Sequence, residues 1–259
     1  MERAGQGRQA PPMMTMPETA PAPAGPIARR LAALDWPAIG ASLDARGHAT
    51  TGPLLGADEC AGLVALYGQA ERFRSRVTMQ RHGFGRGEYQ YFAYPLPPLV
   101  EALRQAAYPR LAKVAHRWNG LLGRDAALPA TLDEYLARCH AAGQARPTAL
   151  LLKYGAGDFN CLHQDLYGPL VFPLQLTLLL SRPGADFIGG EFLLVEQRPR
   201  AQSLGEVVPL VQGEAVIFAV SHRPAQGARG PYRVALRHGV SRLRSGQRFS
   251  LGVIFHDAA

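Results

Sequence analysis

The chain has 259 residues, 47% of them hydrophobic, which is enough to bury a substantial core in one catalytic domain with an N-terminal elaboration. No run approaches the roughly 18 uninterrupted apolar residues of a membrane span, because Pro, Gln or Thr interrupts the longest stretches. Lys plus Arg exceed Asp plus Glu by 28 to 20, for a net charge of +8, and almost all of the excess is Arg. That balance suits a polyanion as partner, and equally the codon bias of a GC-rich genome.

Residues 1–27 are rich in Pro, Ala and Gly and offer few large side chains to bury, so a disordered tail is expected there. After Arg29-Arg30, Asp35 interrupts the apolar run following LAAL, which argues against an export signal and for a cytoplasmic location. The three cysteines Cys60, Cys139 and Cys161 are far apart and match no disulfide or zinc pattern.

From Ala28 to His48 the apolar spacing is helical, with Pro37 at a start or kink, and TTGP reads as a turn before a helix beginning near Gly56. Segments 99–122 and 131–142 read as amphipathic helices, Pro109 kinking or dividing the first. Between them, alternating arginines at Arg72, Arg74 and Arg76, then Tyr89, Tyr91, Phe92 and Tyr94, predict a β-hairpin near 72–94. With Arg81 and Arg86 this segment has the components of a nucleic-acid surface. Its plainer reading is a hairpin whose aromatics cover the core while the arginines sit in water.

After Pro147 short β-prone runs separated by Gly, Pro, Asp or Ser take over. The fold class expected is therefore α+β, a helical layer over residues 28–146 supporting an all-β sandwich or barrel over 147–259.

His163 and Asp165 close one of these runs, and in extended chain positions i and i+2 face the same side. An imidazole from a distant strand would complete a two-histidine, one-carboxylate face, which binds Fe(II) and leaves positions open; His238 is the candidate. Ten residues further, Arg248 and Ser250 share a strand face, and a guanidinium with a neighbouring hydroxyl suits a carboxylate. His256 and Asp257 imitate a second metal pair without an ordered partner set, and His222 reads as a loop residue.

Tyr154, Gly157, His163 and Asp165 resemble the Tyr-x-x-Gly-x5-His-x-Asp segment that opens the double-stranded β-helix, or jelly roll, of Fe(II)- and 2-oxoglutarate-dependent oxygenases. Gly189-Gly190-Glu191-Phe192, GEAVIF from Gly213, then His238, Arg248 and Ser250, follow in the family's order over roughly residues 147–257. The resemblance implies that His163, Asp165 and His238 ligate Fe(II). It also implies that Arg248 and Ser250, with the Tyr154 hydroxyl, bind the distal carboxylate of 2-oxoglutarate, and that O2 is consumed.

Two branches of that superfamily are matched in part. Leu162-His163-Gln164-Asp165 resembles the AlkB-type nucleic-acid dealkylases, yet Leu152 and Ile254 stand where those carry Asn and a further Arg. The ten-residue step from His238 to Arg248 and the Gly-Gly-Glu element are similar to prolyl hydroxylases. The whole C-terminal stretch looks most like an uncharacterised bacterial branch for which dealkylation of damaged DNA has been proposed. Three readings follow: an oxygenase acting on alkylated DNA or RNA, a hydroxylase of a protein side chain or small molecule, or a non-catalytic nucleic-acid-binding module.

Overall fold

The computed structural model describes residues 25–124 and 127–259, so most of the tail expected over 1–27 lies outside the described residues. Its last residues instead open a helix, Pro26–Ala32, in which Ile27 is buried. Asp35 caps the next helix, Trp36–Arg46, its carboxylate accepting from Ala38 N at 3.0 Å, with Pro37 in the first turn where its missing N–H costs nothing. Thr131 and Glu134 form a capping box on helix Leu132–Ala141. Helix Pro98–Leu121 runs through Pro109 without dividing. It is held by tertiary packing of Leu103, Ala107, Tyr108, Leu111 and Trp118, all buried.

Two antiparallel sheets face each other. The larger has seven strands in the order 48–53, 214–219, 174–179, 248–253, 150–154, 88–92, 73–78. The smaller runs 204–208, 192–197, 230–240, 159–163, 85–86, with His222–Gly227 hairpinned onto Gly230–Val240. This is a jelly roll with helices against its larger sheet, an α+β architecture. Strand His48–Pro53 falls where the sequence suggested a turn, and it pairs with Glu214–Ala219. The strand segments within 28–146 thus share their hydrogen bonding with strands from 147–259. His222, expected in a loop, begins a strand opposite Ala235.

Strand parity explains both the core and the site. Leu174, Leu176 and Leu178 pack toward the helices with Leu151, Leu251 and Val253. The alternate residues, including Tyr154, Leu179, Val216 and Phe218, fill the space between the sheets together with Phe192 and Leu194. Because both faces of the central strands are buried, they read as apolar runs. The polar exceptions Gln175, Thr177, Arg248 and Ser250 have the inward parity.

Asp257 belongs to the helix–sheet junction and not to a second metal pair. It is fully buried and accepts from Arg104 Nη2 at 2.7 Å, from the Tyr94 hydroxyl at 2.9 Å, and bonds His140 Nε2 at 2.9 Å. His256 Nδ1 accepts from Phe172 N at 3.3 Å, and burial pushes its pKa down to about 4. Removing Asp257 would strand the Arg104 charge, which is likewise fully buried. Asp257→Ala is therefore expected to lose about 3–5 kcal/mol of stability, read as a lower urea midpoint at unchanged slope. Among the described residues no helix is long and apolar enough to cross a membrane.

Candidate metal and cosubstrate centre

Strand Phe159–His163 lies beside strand Gly230–Val240, and their register sets His163 directly opposite His238. Both imidazoles therefore leave the sheet on the same face, with ring centroids 4.2 Å apart. Asp165, just past the strand end, brings its carboxylate to 3.5 Å from His163 Nε2 and 3.3 Å from His238 Nε2. One donor atom from each of the three falls within 4.8 Å of the others. His163 Nδ1 lies 2.8 Å from the Cys161 carbonyl, to which it donates as N–H, leaving the Nε2 lone pair directed at the shared point.

Burial opposes charge on all three groups, and the neighbours decide the outcome. At His163 the Asp165 carboxylate outweighs burial and raises the pKa; at His238 burial prevails and lowers it. Burial works against ionisation of Asp165, but both imidazoles together hold it well below the usual carboxylate range. One carboxylate and two imidazole nitrogens on a single face suit Fe(II) with positions left for small ligands.

Two residues that sequence reasoning missed hold the carboxylate. Tyr167 donates its hydroxyl to Asp165 Oδ1 at 2.6 Å, and Gln175 donates Nε2 to Oδ2 at 2.8 Å. Tyr167 in turn accepts from the Tyr91 hydroxyl at 3.0 Å, and Arg74 sits over the Tyr91 ring at 4.4 Å. Gln175 had a legible signal, a polar residue at inward parity in LQLTLL; Tyr167 had none beyond its position two after Asp165. Outer partners of this kind typically contribute 10–100-fold to metal affinity. Tyr167→Phe is expected to weaken divalent-metal binding by about tenfold, measured by calorimetry with Mn(II), with no loss of thermal stability.

The second half of the site lies deeper between the sheets. Arg248 and Tyr154 are cross-strand partners, both essentially inaccessible to solvent. Arg248 Nη1 donates to Ser250 Oγ at 3.2 Å, and among the described residues no carboxylate comes within ion-pairing reach of it. Arg248 Nε has no hydrogen-bond partner, and the Tyr154 hydroxyl is acted on by the Asn160 side chain and the Arg248 charge. Glu191 acts on this guanidinium only at longer range, and burial lowers its pKa, so a carboxylate brought onto it would be favoured. Gly190, at φ +66°, is needed here, since a Cβ would meet the Arg248 side chain at 3.1 Å and collide with Leu243.

A cavity of about 290 Å³ has His163, Asp165 and His238 in its wall together with Tyr154, Thr177 and Ser250; Arg248 reaches it through Ser250 and itself lines a neighbouring cavity. Toward solvent it is lined by Gly83, Phe84, Tyr89 and Leu162. Phe84 is 48% exposed and stacks on His82 at 5.3 Å. Its loop is pinned to the ligand-bearing strand by the pairs Gly85 to Asn160 and Arg86 to Phe159 and by Cys161 N donating to the Phe84 carbonyl.

The arginine segment divides. Arg72, Arg74 and Arg76 are engaged by Gln69, the Pro147 carbonyl and Glu88 respectively, while Phe92 and Phe73 stack in the core. Arg81 is exposed, two residues before Gly83, and Arg86 lies 4.0 Å from Asp158. Arg242 bonds the Gly157 carbonyl and covers the Phe159 ring, and Arg244 reaches Glu191. Gln164, central to Leu-His-Gln-Asp, donates to the carbonyls of Leu236 and Ser221, fixing the strand end.

A jelly roll that converges two histidines, one aspartate and a buried arginine in this way is that of an Fe(II)- and 2-oxoglutarate-dependent oxygenase, with Fe(II) as cofactor and 2-oxoglutarate and O2 as cosubstrates. The chain belongs to the Oxygenase-NA family, whose model matches residues 87–258 and is described as an oxygenase catalysing oxidative methylation of damaged DNA. Two Mycobacterium tuberculosis proteins, uncharacterized protein MT2286 of strain CDC 1551 and Rv2227 of strain H37Rv, are similar to it. Each is 52% identical over 195 residues, covering 74% of this chain and 84% of the relative. Among solved structures, a Pseudomonas putida prolyl-4-hydroxylase is 17% identical with a TM-score of 0.48, over 86% of this chain and 100% of that one. A 2OG-Fe(II) oxygenase family oxidoreductase from Burkholderia pseudomallei is 17% identical with a TM-score of 0.45, over 86% and 92%.

Proposed function

We propose that this oxygenase hydroxylates N-methyl carbons of damaged DNA or RNA, so that the unstable N-hydroxymethyl product releases formaldehyde and restores the base. In this reading His163, Asp165 and His238 hold Fe(II), while Arg248, Ser250 and Tyr154 hold the distal carboxylate of 2-oxoglutarate. Bound iron with 2-oxoglutarate and O2 supplies the oxidising chemistry, yielding succinate and carbon dioxide. The chain's own part is positional. Tyr167 and Gln175 fix the Asp165 carboxylate, Cys161 orients His163, and the walls formed by Leu152, Phe192 and Val240 keep the reacting carbon out of bulk water.

The observation that carries the substrate assignment is the cavity rim. An exposed aromatic, Phe84, stacked on His82 and flanked by Arg81 and Arg86, offers a flat face and cations where a polyanion would deliver an unstacked base. The description of the family points the same way. Stacking on an aromatic contributes about 1–3 kcal/mol per base, so Phe84→Ala is expected to raise KM for an oligonucleotide at least about fivefold while leaving 2-oxoglutarate affinity intact. The direct test incubates the protein with Fe(II), 2-oxoglutarate and N-methylated or unmethylated oligonucleotides. Formaldehyde and the demethylated strand are expected from the methylated set only. No formaldehyde from any oligonucleotide, with a stable hydroxylated protein or small molecule recovered instead, would transfer the assignment to side-chain or small-molecule hydroxylation.

A further inference from the structure

A second cavity, of about 280 Å³, contains none of His163, Asp165 and His238 but is lined by Arg248. Its walls are apolar, among them Leu179, Phe187, Val208 and Leu210, and its mouth carries Ile188 and Val207, 50% and 56% exposed. Three charged residues line it: Glu191, Arg244 and Arg248. Glu191 is engaged by the Ser241 hydroxyl and by Arg244 at 3.5 Å. Arg248 is different. It is 1% exposed, its Nε makes no hydrogen bond, and among the described residues no carboxylate lies within 4.0 Å of it, Glu191 acting on it only at longer range.

Arg248 connects the two cavities. It lines the rear one, while its Nη1 donates to Ser250, which lines the cavity that contains the iron ligands. A guanidinium has two edges that can each take a carboxylate, Nη1 with Nη2 and Nε with Nη2. The first edge is turned toward Ser250 and the second is free.

We infer that the rear cavity binds an aliphatic monocarboxylate, its hydrocarbon tail among Leu179, Phe187 and Leu210 and its carboxylate on the Nε edge of Arg248. Largely apolar walls ending in a buried guanidinium whose Nε is unbonded fit that class better than a polar dicarboxylate, whose second charge would lie against apolar walls. The two edges share Nη2, so a carboxylate on one weakens the other's hold. The rear ligand therefore antagonises 2-oxoglutarate, and by linkage each ligand weakens the other by the same factor. The antagonism rests on Arg248 holding 2-oxoglutarate; occupancy of the rear cavity does not.

The test is calorimetry on the full chain with hexanoate as probe, metal-free and loaded with redox-inert Mn(II), and with 2-oxoglutarate added before or after. In wild type, hexanoate is expected to bind and, at saturation, to raise the 2-oxoglutarate Kd about tenfold. The double variant Ile188→Glu, Val207→Glu places carboxylates at the exposed mouth. It is expected to lose hexanoate binding by more than about tenfold while 2-oxoglutarate binding is unchanged. Absence of hexanoate binding to wild type, or equal hexanoate affinity in the variant, overturns the inference. So does a parallel loss of 2-oxoglutarate in the variant, since the rear cavity would then be the tail of the cosubstrate site. Hexanoate binding that is lost in the variant, in a protein that never binds 2-oxoglutarate, leaves the rear site standing and removes the cosubstrate role of Arg248 instead.

Discussion

His163→Ala is expected to weaken Fe(II) binding by more than about 100-fold and to abolish oxidation, because even the outer partners of metal ligands carry 10–100-fold and a ligand carries more. The substitution is a clean one. The His163 side chain is 34% exposed and lies at a strand end, so its loss opens no buried cavity and the unfolding midpoint should hold. Asp165→Asn, which keeps the shape but removes the charge and sets an amide NH2 against one of the donors Tyr167 and Gln175, is expected to cost as much. Equilibrium titration with Mn(II), followed by calorimetry, reads both. Near-wild-type affinity in either variant would mean that the three side chains converge for packing alone.

Arg248→Ala has the second largest expected effect, and its sign on stability sets it apart from an ordinary buried arginine. Arg104 is neutralised by Asp257, so breaking that pair leaves an orphaned charge and destabilises the fold. Among the described residues Arg248 has no carboxylate within 4.0 Å to orphan, only Glu191 at longer range. Removing it relieves an uncompensated buried cation, so the melting temperature of the ligand-free protein should stay level or rise despite the small cavity created. Affinity for 2-oxoglutarate should nevertheless fall by about 100-fold or more, since two charge-assisted hydrogen bonds contribute about 1.5–3 kcal/mol each. Loss of stability together with unchanged 2-oxoglutarate affinity would assign Arg248 to the core.

The grouping of His163, Asp165 and His238 was legible because both histidines lie in strands, where parity fixes the face, and Asp165 follows two residues after the strand end; Tyr154, Arg248 and Ser250 likewise sit on strands with inward parity. The helices were legible from periodicity, and the caps at Asp35 and Thr131 mark where two of them begin in the structure. What escaped notice depends on distant partners. Strand His48–Pro53 carries Gly52 and Pro53 and no apolar alternation; it is a strand because Glu214–Ala219 offers it an edge. Helix Pro98–Leu121 outlasts Pro109 because its buried face packs on the larger sheet. Tyr91 and Tyr167 meet only after the hairpin near 73–92 closes over the metal strand, a contact that no local pattern announces. Phe84 carries no local signal either; it is placed at the cavity by the pairing of the Gly85–Arg86 strand with the His163 strand.

The most direct test of the central claim is anaerobic titration of the metal-free protein with Fe(II) and then 2-oxoglutarate, watching for the weak visible charge-transfer band of the chelated cosubstrate. The band is expected in wild type, to be absent in His163→Ala, and to require far more 2-oxoglutarate in Arg248→Ala. No band in wild type, with neither ligand bound by calorimetry, would contradict the oxygenase account and leave a protein whose site does not use iron.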